Sequence, residues 1–207
     1  MQIVAAVSVV ALLAAAAFFF FRGSGDGEDG KRKVDQIRIE DVELTVGGVY
    51  HATTGLPAEL SPELQDAVMA TVGTYVQGGL IDPIRDGKAR KEVAGVFDAL
   101  TQPRLTGPDR AVLFEEGLPE LTGTFTPVAE PVILTALSDA GGNFVLVTAS
   151  INYQATAKTR RGDVTIARTT ELTMIPEPDA WKITGYDVGL IRELPDSGTT
   201  TTTAATS

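Results

Sequence analysis

The chain has no cysteine, which excludes disulfides, thiol catalysis, thiolate zinc sites and a lipidated cysteine together. It leaves the redox compartment open. Histidine is nearly as scarce, with His51 the single example. No acids cluster at ligand spacing either, so no metal site is expected and no cofactor is implied. Basic residues are in the minority, 17 Lys and Arg against 27 Asp and Glu. Four of each lie outside Val34 to Pro195, so the whole net charge of −10 falls on that segment. A domain of that sign repels phosphate backbones, and nucleic acid is excluded as a partner. Glycines such as Gly47-Gly48 and Gly141-Gly142 lack a phosphate-loop lysine and a strand-to-helix context, and read as turns.

Charge is absent altogether from the first 21 residues and from the last 11. Ile3 to Phe21 is an apolar run broken only by Ser8, long enough to cross a bilayer core. No basic stretch precedes it, and four phenylalanines follow the Ala14 to Ala16 candidate cleavage site, so the sequence predicts a retained anchor and not a signal peptide. The expected organisation is a transmembrane anchor over 1–22, a flexible Gly and acid-rich tether over 23–33, one domain over 34–195 and a disordered Thr-rich tail over 196–207. Localisation is then the cell membrane, single-pass. Arg22, Lys31, Arg32 and Lys33 on the C-terminal flank favour the cytoplasmic side by the positive-inside rule, but with only two residues ahead of the span the side of the domain stays open.

Within the domain, Val34 to Val46 alternates as a half-buried strand would. Ser61-Pro62-Glu63 is a helix start, with a serine cap, proline at the first position and an acid at the positive dipole end. Leu64, Ala67, Val68, Thr71, Val72, Tyr75 and Val76 then form one apolar stripe, and Gly78-Gly79 ends the helix. A second helix is predicted from Asp86 to Leu100, with Pro103 as its stop, and a shorter third one from Gly107 to Gly117. From Thr124 onward the period changes to two. Val132–Leu137, Phe144–Ala157, Val164–Ile175 and Trp181–Leu190 read as a meander of four antiparallel strands with tight turns between them. The fold class expected is α+β, with three helices packed on a curved antiparallel sheet behind the transmembrane helix.

The long helix from Ser61, the phrase Leu105-Thr106-Gly107-Pro108-Asp109-Arg110 and the closing stretch Asp179 to Val188, which contains Trp181, resemble the NTF2-like superfamily of cone-shaped α+β domains. With a membrane helix ahead of it, the chain looks like the Mce-associated membrane proteins of actinobacteria, and secondarily like Tim44-like domains. The resemblance covers roughly Leu60 to Leu190 and implies a cone opening for an apolar ligand, a protein partner, or a homodimer through the sheet. In enzymes of that superfamily a carboxylate or a His-Asp pair acts as base inside the cone, with tyrosine hydroxyls at the oxyanion.

His51 sits where a loop is expected, with no acid at a recognisable spacing. Asp98 follows Phe97 on the second helix and is the acid nearest a pocket, although it is displaced from the Ala89, Val93, Val96 and Leu100 stripe. Glu171 faces water opposite Leu172 and Met174. Tyr75, Tyr153 and Tyr186 are the strongest pocket candidates, since each lies on an otherwise apolar element and can offer a hydroxyl at a cavity mouth. Candidate ligand-binding residues are therefore Tyr75, Asp98, Tyr153 and Tyr186, with no catalytic set. The leading expectation is a non-enzymatic, membrane-anchored accessory protein that engages a partner protein or apolar ligand. The alternatives are an isomerase or dehydratase using the cone, and an extracellular structural module.

Overall fold

In the computed structural model, which describes residues 38–194 and 200–207, the chain is mainly sheet. Seven strands form it: β1 Val46–His51, β2 Leu121–Ala129, β3 Val132–Ser138, β4 Phe144–Thr159, β5 Gly162–Pro176, β6 Trp181–Glu193 and β7 Thr200–Thr206. The spatial order is β1-β3-β4-β5-β6-β7, and β2 also pairs with β4. β4 is long enough to take two neighbours along one edge: β3 pairs with its first half, Phe144 to Ser150, and β2 with its second, Tyr153 to Thr159. β1 runs parallel to β3, and the remaining strand pairs are antiparallel.

The period-2 pattern decides which face is covered. Val147, Ala149, Ile151, Tyr153, Ala155 and Ala157 on β4 are buried, as are Val164, Ile166, Leu172 and Met174 on β5. The alternating residues Asn152, Gln154, Thr156, Thr169 and Glu171 meet water. A register shift opposite Thr173/Met174 changes the phase of β6, so that Trp181 and Ile183 point inward and then Tyr186, Val188 and Leu190 do.

One long helix lies on the covered face. α1 (Pro62–Tyr75) starts as its sequence requires, with Ser61 Oγ accepting the Leu64 N–H at 3.3 Å and proline in the first turn. Val68, Thr71, Val72 and Tyr75 are buried on its inner side, and the Thr71 hydroxyl donates to the Trp181 carbonyl at 2.9 Å. Gly78-Gly79 does not stop the helix. It widens into a π-helical turn over Val76–Ile81, runs on as α2 (Asp82–Asp86) and ends at Gly87, whose φ of 74° is the left-handed cap. A side chain at Gly78 would meet Val93 Cγ2 at 2.4 Å and one at Gly79 would meet Phe114 at 3.1 Å. The two glycines therefore serve close packing.

Several expectations are corrected. The helix over Asp86–Leu100 is absent: a 3-10 turn occupies Lys91–Val96 and Phe97 is drawn out to bridge Ile183. Leu100, counted on the apolar stripe, is 87% exposed. The third helix, α3, is a single turn over Arg110–Leu113. The α+β cone of the NTF2-like kind, with three helices packed on the sheet, gives way to a mainly-sheet fold with, among the described residues, one helix longer than a turn or so. Its physical cause is the left-handed Gly87 and the competition of the sheet for Phe97. Of the strand expected over Val34–Val46, the part that is described, from residue 38, only touches β2 through a bridge between Ile39 and Phe125, and β1 starts at Val46; residues 34–37 lie outside the described residues. His51 ends that strand and does not lie in a loop. Residues 200–206, expected as disordered tail, pair with β6 because threonine suits an edge strand and Ala205 fits against Val188. Finally, among the described residues no helix is long and apolar enough to cross a membrane. The described residues thus give no support to the single-pass membrane reading or to the localisation drawn from it, and the expected anchor, 1–22, and tether, 23–33, lie outside them.

Candidate binding site

Two strands carry one site on both of their faces. Tyr153 on β4 and Arg168 on β5 are directly opposite each other in the antiparallel register, and both side chains turn inward, where each is buried. Arg168 is the largest fully buried side chain of the domain. Its Nη2 donates to Glu115 Oε2 at 3.0 Å and its Nη1 donates to the Val112 carbonyl. Glu115 is itself fully buried and accepts on its other oxygen from Arg192 Nε at 2.8 Å. The short connection after α3 holds it in place, anchored by the Glu115 N–H donating to the Gly79 carbonyl at 2.9 Å.

One carboxylate thus faces two guanidinium groups. A buried charge is tolerable only when paired and hydrogen-bonded, and Arg192, which keeps 18% of its side chain in solvent, lets the surplus positive charge reach water. Tyr75 closes the centre from α1, its hydroxyl donating to the Leu113 carbonyl at 2.8 Å. Burial raises the Tyr75 pKa, and the nearby positive charge of Arg168 only partly opposes it. Burial also raises the Tyr153 pKa, reinforced by the Glu115 charge. Both phenols therefore stay neutral at any physiological pH. The Tyr153 hydroxyl, Thr170 Oγ1 and Arg168 Nε are buried without a hydrogen-bond partner. The centre is packed shut, and its effect is to fix the inward faces of β4, β5 and β6.

The outward side of the same strands is open. A groove of about 410 Å³ is floored by the backbone of Tyr153, Arg168 and Leu190 and walled by Asn152, Gln154, Thr169, Ile191 and Thr202. Its hollow is Gly189, where a Cβ would meet Thr169 Oγ1 at 2.8 Å. Register places Val128, Gln154, Ala167, Ile191 and Thr202 in one row across the sheet, and Asn152, Thr169, Gly189 and Ala204 in the next. Val128 and Ile191 are 62% and 42% exposed, so the first row is an apolar band among amides and hydroxyls. In the row beyond, Glu171 stands directly opposite Asp187, an arrangement of like charges that costs stability unless a cation joins it.

Of the four residues expected at a pocket, Tyr75 and Tyr153 come together at the charge centre, one from the helix and one from the sheet. Tyr186 lies elsewhere, its hydroxyl donating to Asp109 Oδ2 at 2.6 Å beneath the Arg104 guanidinium, 5.2 Å from the ring centroid. Asp98 caps a turn, accepting the Thr101 N–H at 2.7 Å. Sequence reasoning missed Glu115, Arg168 and Arg192. Arg168 did carry a signal, since it stands in phase with Val164, Ile166 and Leu172, where the alternation demands a buried side chain. Glu115 carried none, because it lies outside any periodic segment.

Fold and site together define a mainly-sheet domain whose inward face holds a buried ion triad and whose outward face carries an open groove. No family model, curated protein or solved structure matches the chain.

Proposed function

We propose that this chain is a non-catalytic binding protein that engages a partner protein through the outward face of its sheet. The observation that carries the reading is the band of Val128, Ala167 and Ile191, exposed at Val128 and Ile191, beside a groove lined mainly by uncharged side chains and two rows away from the Glu171-Asp187 pair. Exposed apolar side chains set among polar ones are what a recognition surface needs. A partner segment that places an apolar side chain over Gly189 and a lysine or arginine against Glu171 and Asp187 would satisfy both features. The enzyme reading asked for His51 or Asp98 in an apolar pocket beside a tyrosine hydroxyl. Asp98 is engaged by its own turn, and Tyr75 and Tyr153 face a paired carboxylate with neutral hydroxyls, an arrangement with no accessible base.

The reading is tested with the immobilised full chain and its Gly189→Val variant, which fills the groove. Proteins retained by the native chain should be lost from the variant and kept by Thr156→Val, a change elsewhere on the same face. Retention that is indifferent to Gly189, or turnover of a small carbonyl substrate that disappears in Tyr153→Phe, contradicts it.

A further inference from the structure

A sheet edge is a row of unpaired backbone donors and acceptors, and two of the three edges in this fold are blocked. β1 is covered by the turn that follows it: the His51 N–H donates to the Leu56 carbonyl and the Ala58 N–H to the Val49 carbonyl, both at 2.9 Å. β2 is covered by residues 38–40, the Phe125 N–H donating to the Arg38 carbonyl at 2.8 Å and the Glu40 N–H to the Phe125 carbonyl at 3.1 Å. The third edge is β7, and among the described residues no strand or turn pairs with its outer side.

The phase of that edge follows from its last residue. The Ser207 N–H donates to the Tyr186 carbonyl at 2.9 Å, so in the antiparallel alternation Thr203 and Ala205 turn their backbone groups toward β6, and Thr202, Ala204 and Thr206 turn theirs away. The Arg104 side chain takes the outward Thr206 carbonyl at 2.9 Å. Thr202 and Ala204 keep theirs free. Natural edges are usually blunted by charge, proline or a bulge, whereas β7 reads TTTTAAT, without charge or proline, and pairs with β6 in unbroken register from Thr200 to Thr206.

We propose that the outer edge of β7 is a self-association site whose occupant is β7 of a second copy of this chain, paired antiparallel about a two-fold axis at Thr203. In that register Thr202 and Ala204 of one copy exchange both backbone hydrogen bonds with Ala204 and Thr202 of the other. The absence of charge favours the same strand as occupant. A chain of net charge −10 repels its own copy over most of its surface, and β7 is an edge where two copies can meet without placing like charges opposite each other. Threonines facing threonines across the axis add favourable cross-strand contacts, and identical patches meeting on a two-fold are the commonest oligomer geometry. The pairing would join the two sheets edge to edge and leave each outward face free.

Because the chain has no cysteine, an introduced one reports the register cleanly. Thr203 meets its copy in a non-hydrogen-bonded pair, with Cβ atoms about 4.5–5.5 Å apart, so the full chain carrying Thr203→Cys should oxidise to a covalent dimer at least tenfold faster than Thr165→Cys, an exposed position on β5. Ala204→Pro removes an outward N–H and no bond to β6. It should lower the dimer fraction in sedimentation velocity at least tenfold at equal concentration, with an unchanged circular dichroism spectrum. Equal oxidation rates for the two cysteine variants, a native chain that stays monomeric across the micromolar range, or an Ala204→Pro chain that dimerises as the native one does would each overturn the proposal.

Discussion

Glu115 shows how much rests on one side chain. It lies between Arg168 and Arg192 in a fully buried position, so removing its carboxylate leaves an uncompensated guanidinium in the core. Glu115→Ala should destabilise the domain by about 3–5 kcal/mol in urea denaturation. Glu115→Leu combined with Arg168→Met should recover most of that loss, because an apolar pair of similar volume removes the buried charge instead of orphaning it. Tyr186 offers a second test. Burial, then its hydrogen bond to the Asp109 carboxylate, push its pKa up to about 12. The fold thus favours the neutral phenol, and that contribution is complete below the ordinary value of 10.0 and is lost as pH rises through 12. Titration of the phenolate absorbance should show Tyr186 ionising late, together with the buried Tyr75 and Tyr153, whose pKa values burial raises too. Asp109→Asn should bring the Tyr186 pKa down toward its ordinary value, but not all the way, since the burial remains.

At the scale of elements, the continuous run of α1, the π turn and α2 makes opposite predictions for two glycines a turn and a half apart. Gly73 has open space where a Cβ would stand, so Gly73→Ala should stabilise by about 0.5–1 kcal/mol through helix propensity. At Gly78 the same change drives a methyl into Val93 and should destabilise by about 1–3 kcal/mol. Thermal melts of the two variants decide it. The same region marks where the sequence stopped being legible. A Gly-Gly pair ordinarily reads as a helix end, and nothing local reveals that Val93 and Phe114 need that space. β3 to β6 were legible to within a few residues because alternation, β-branched side chains and turn residues agreed there. β2 was missed because Pro127 and Gly123 interrupt its pattern, and β7 because a threonine tract carries no periodicity. Helix propensity in Lys88 to Leu100 was overridden by tertiary contacts, Phe97 being worth more against Ile183 than in a helix.

For the molecule as a whole, the two faces of β4, β5 and β6 divide the labour. Tyr153 and Arg168 send their side chains into the locked centre while their backbones floor the groove, so the rigidity of the inside fixes the shape presented outside. Half of this was visible in the sequence: Tyr75 and Tyr153 stood out as polar tips on apolar elements, but their acidic and basic neighbours did not. The most direct measurement is photo-crosslinking in the producing cell, from a light-activated residue at position 169 and from one at exposed Leu100. The account predicts a discrete protein adduct from position 169, absent from position 100 and abolished by Gly189→Val. Equal adducts from both positions, or an adduct from 169 that survives Gly189→Val, would contradict it.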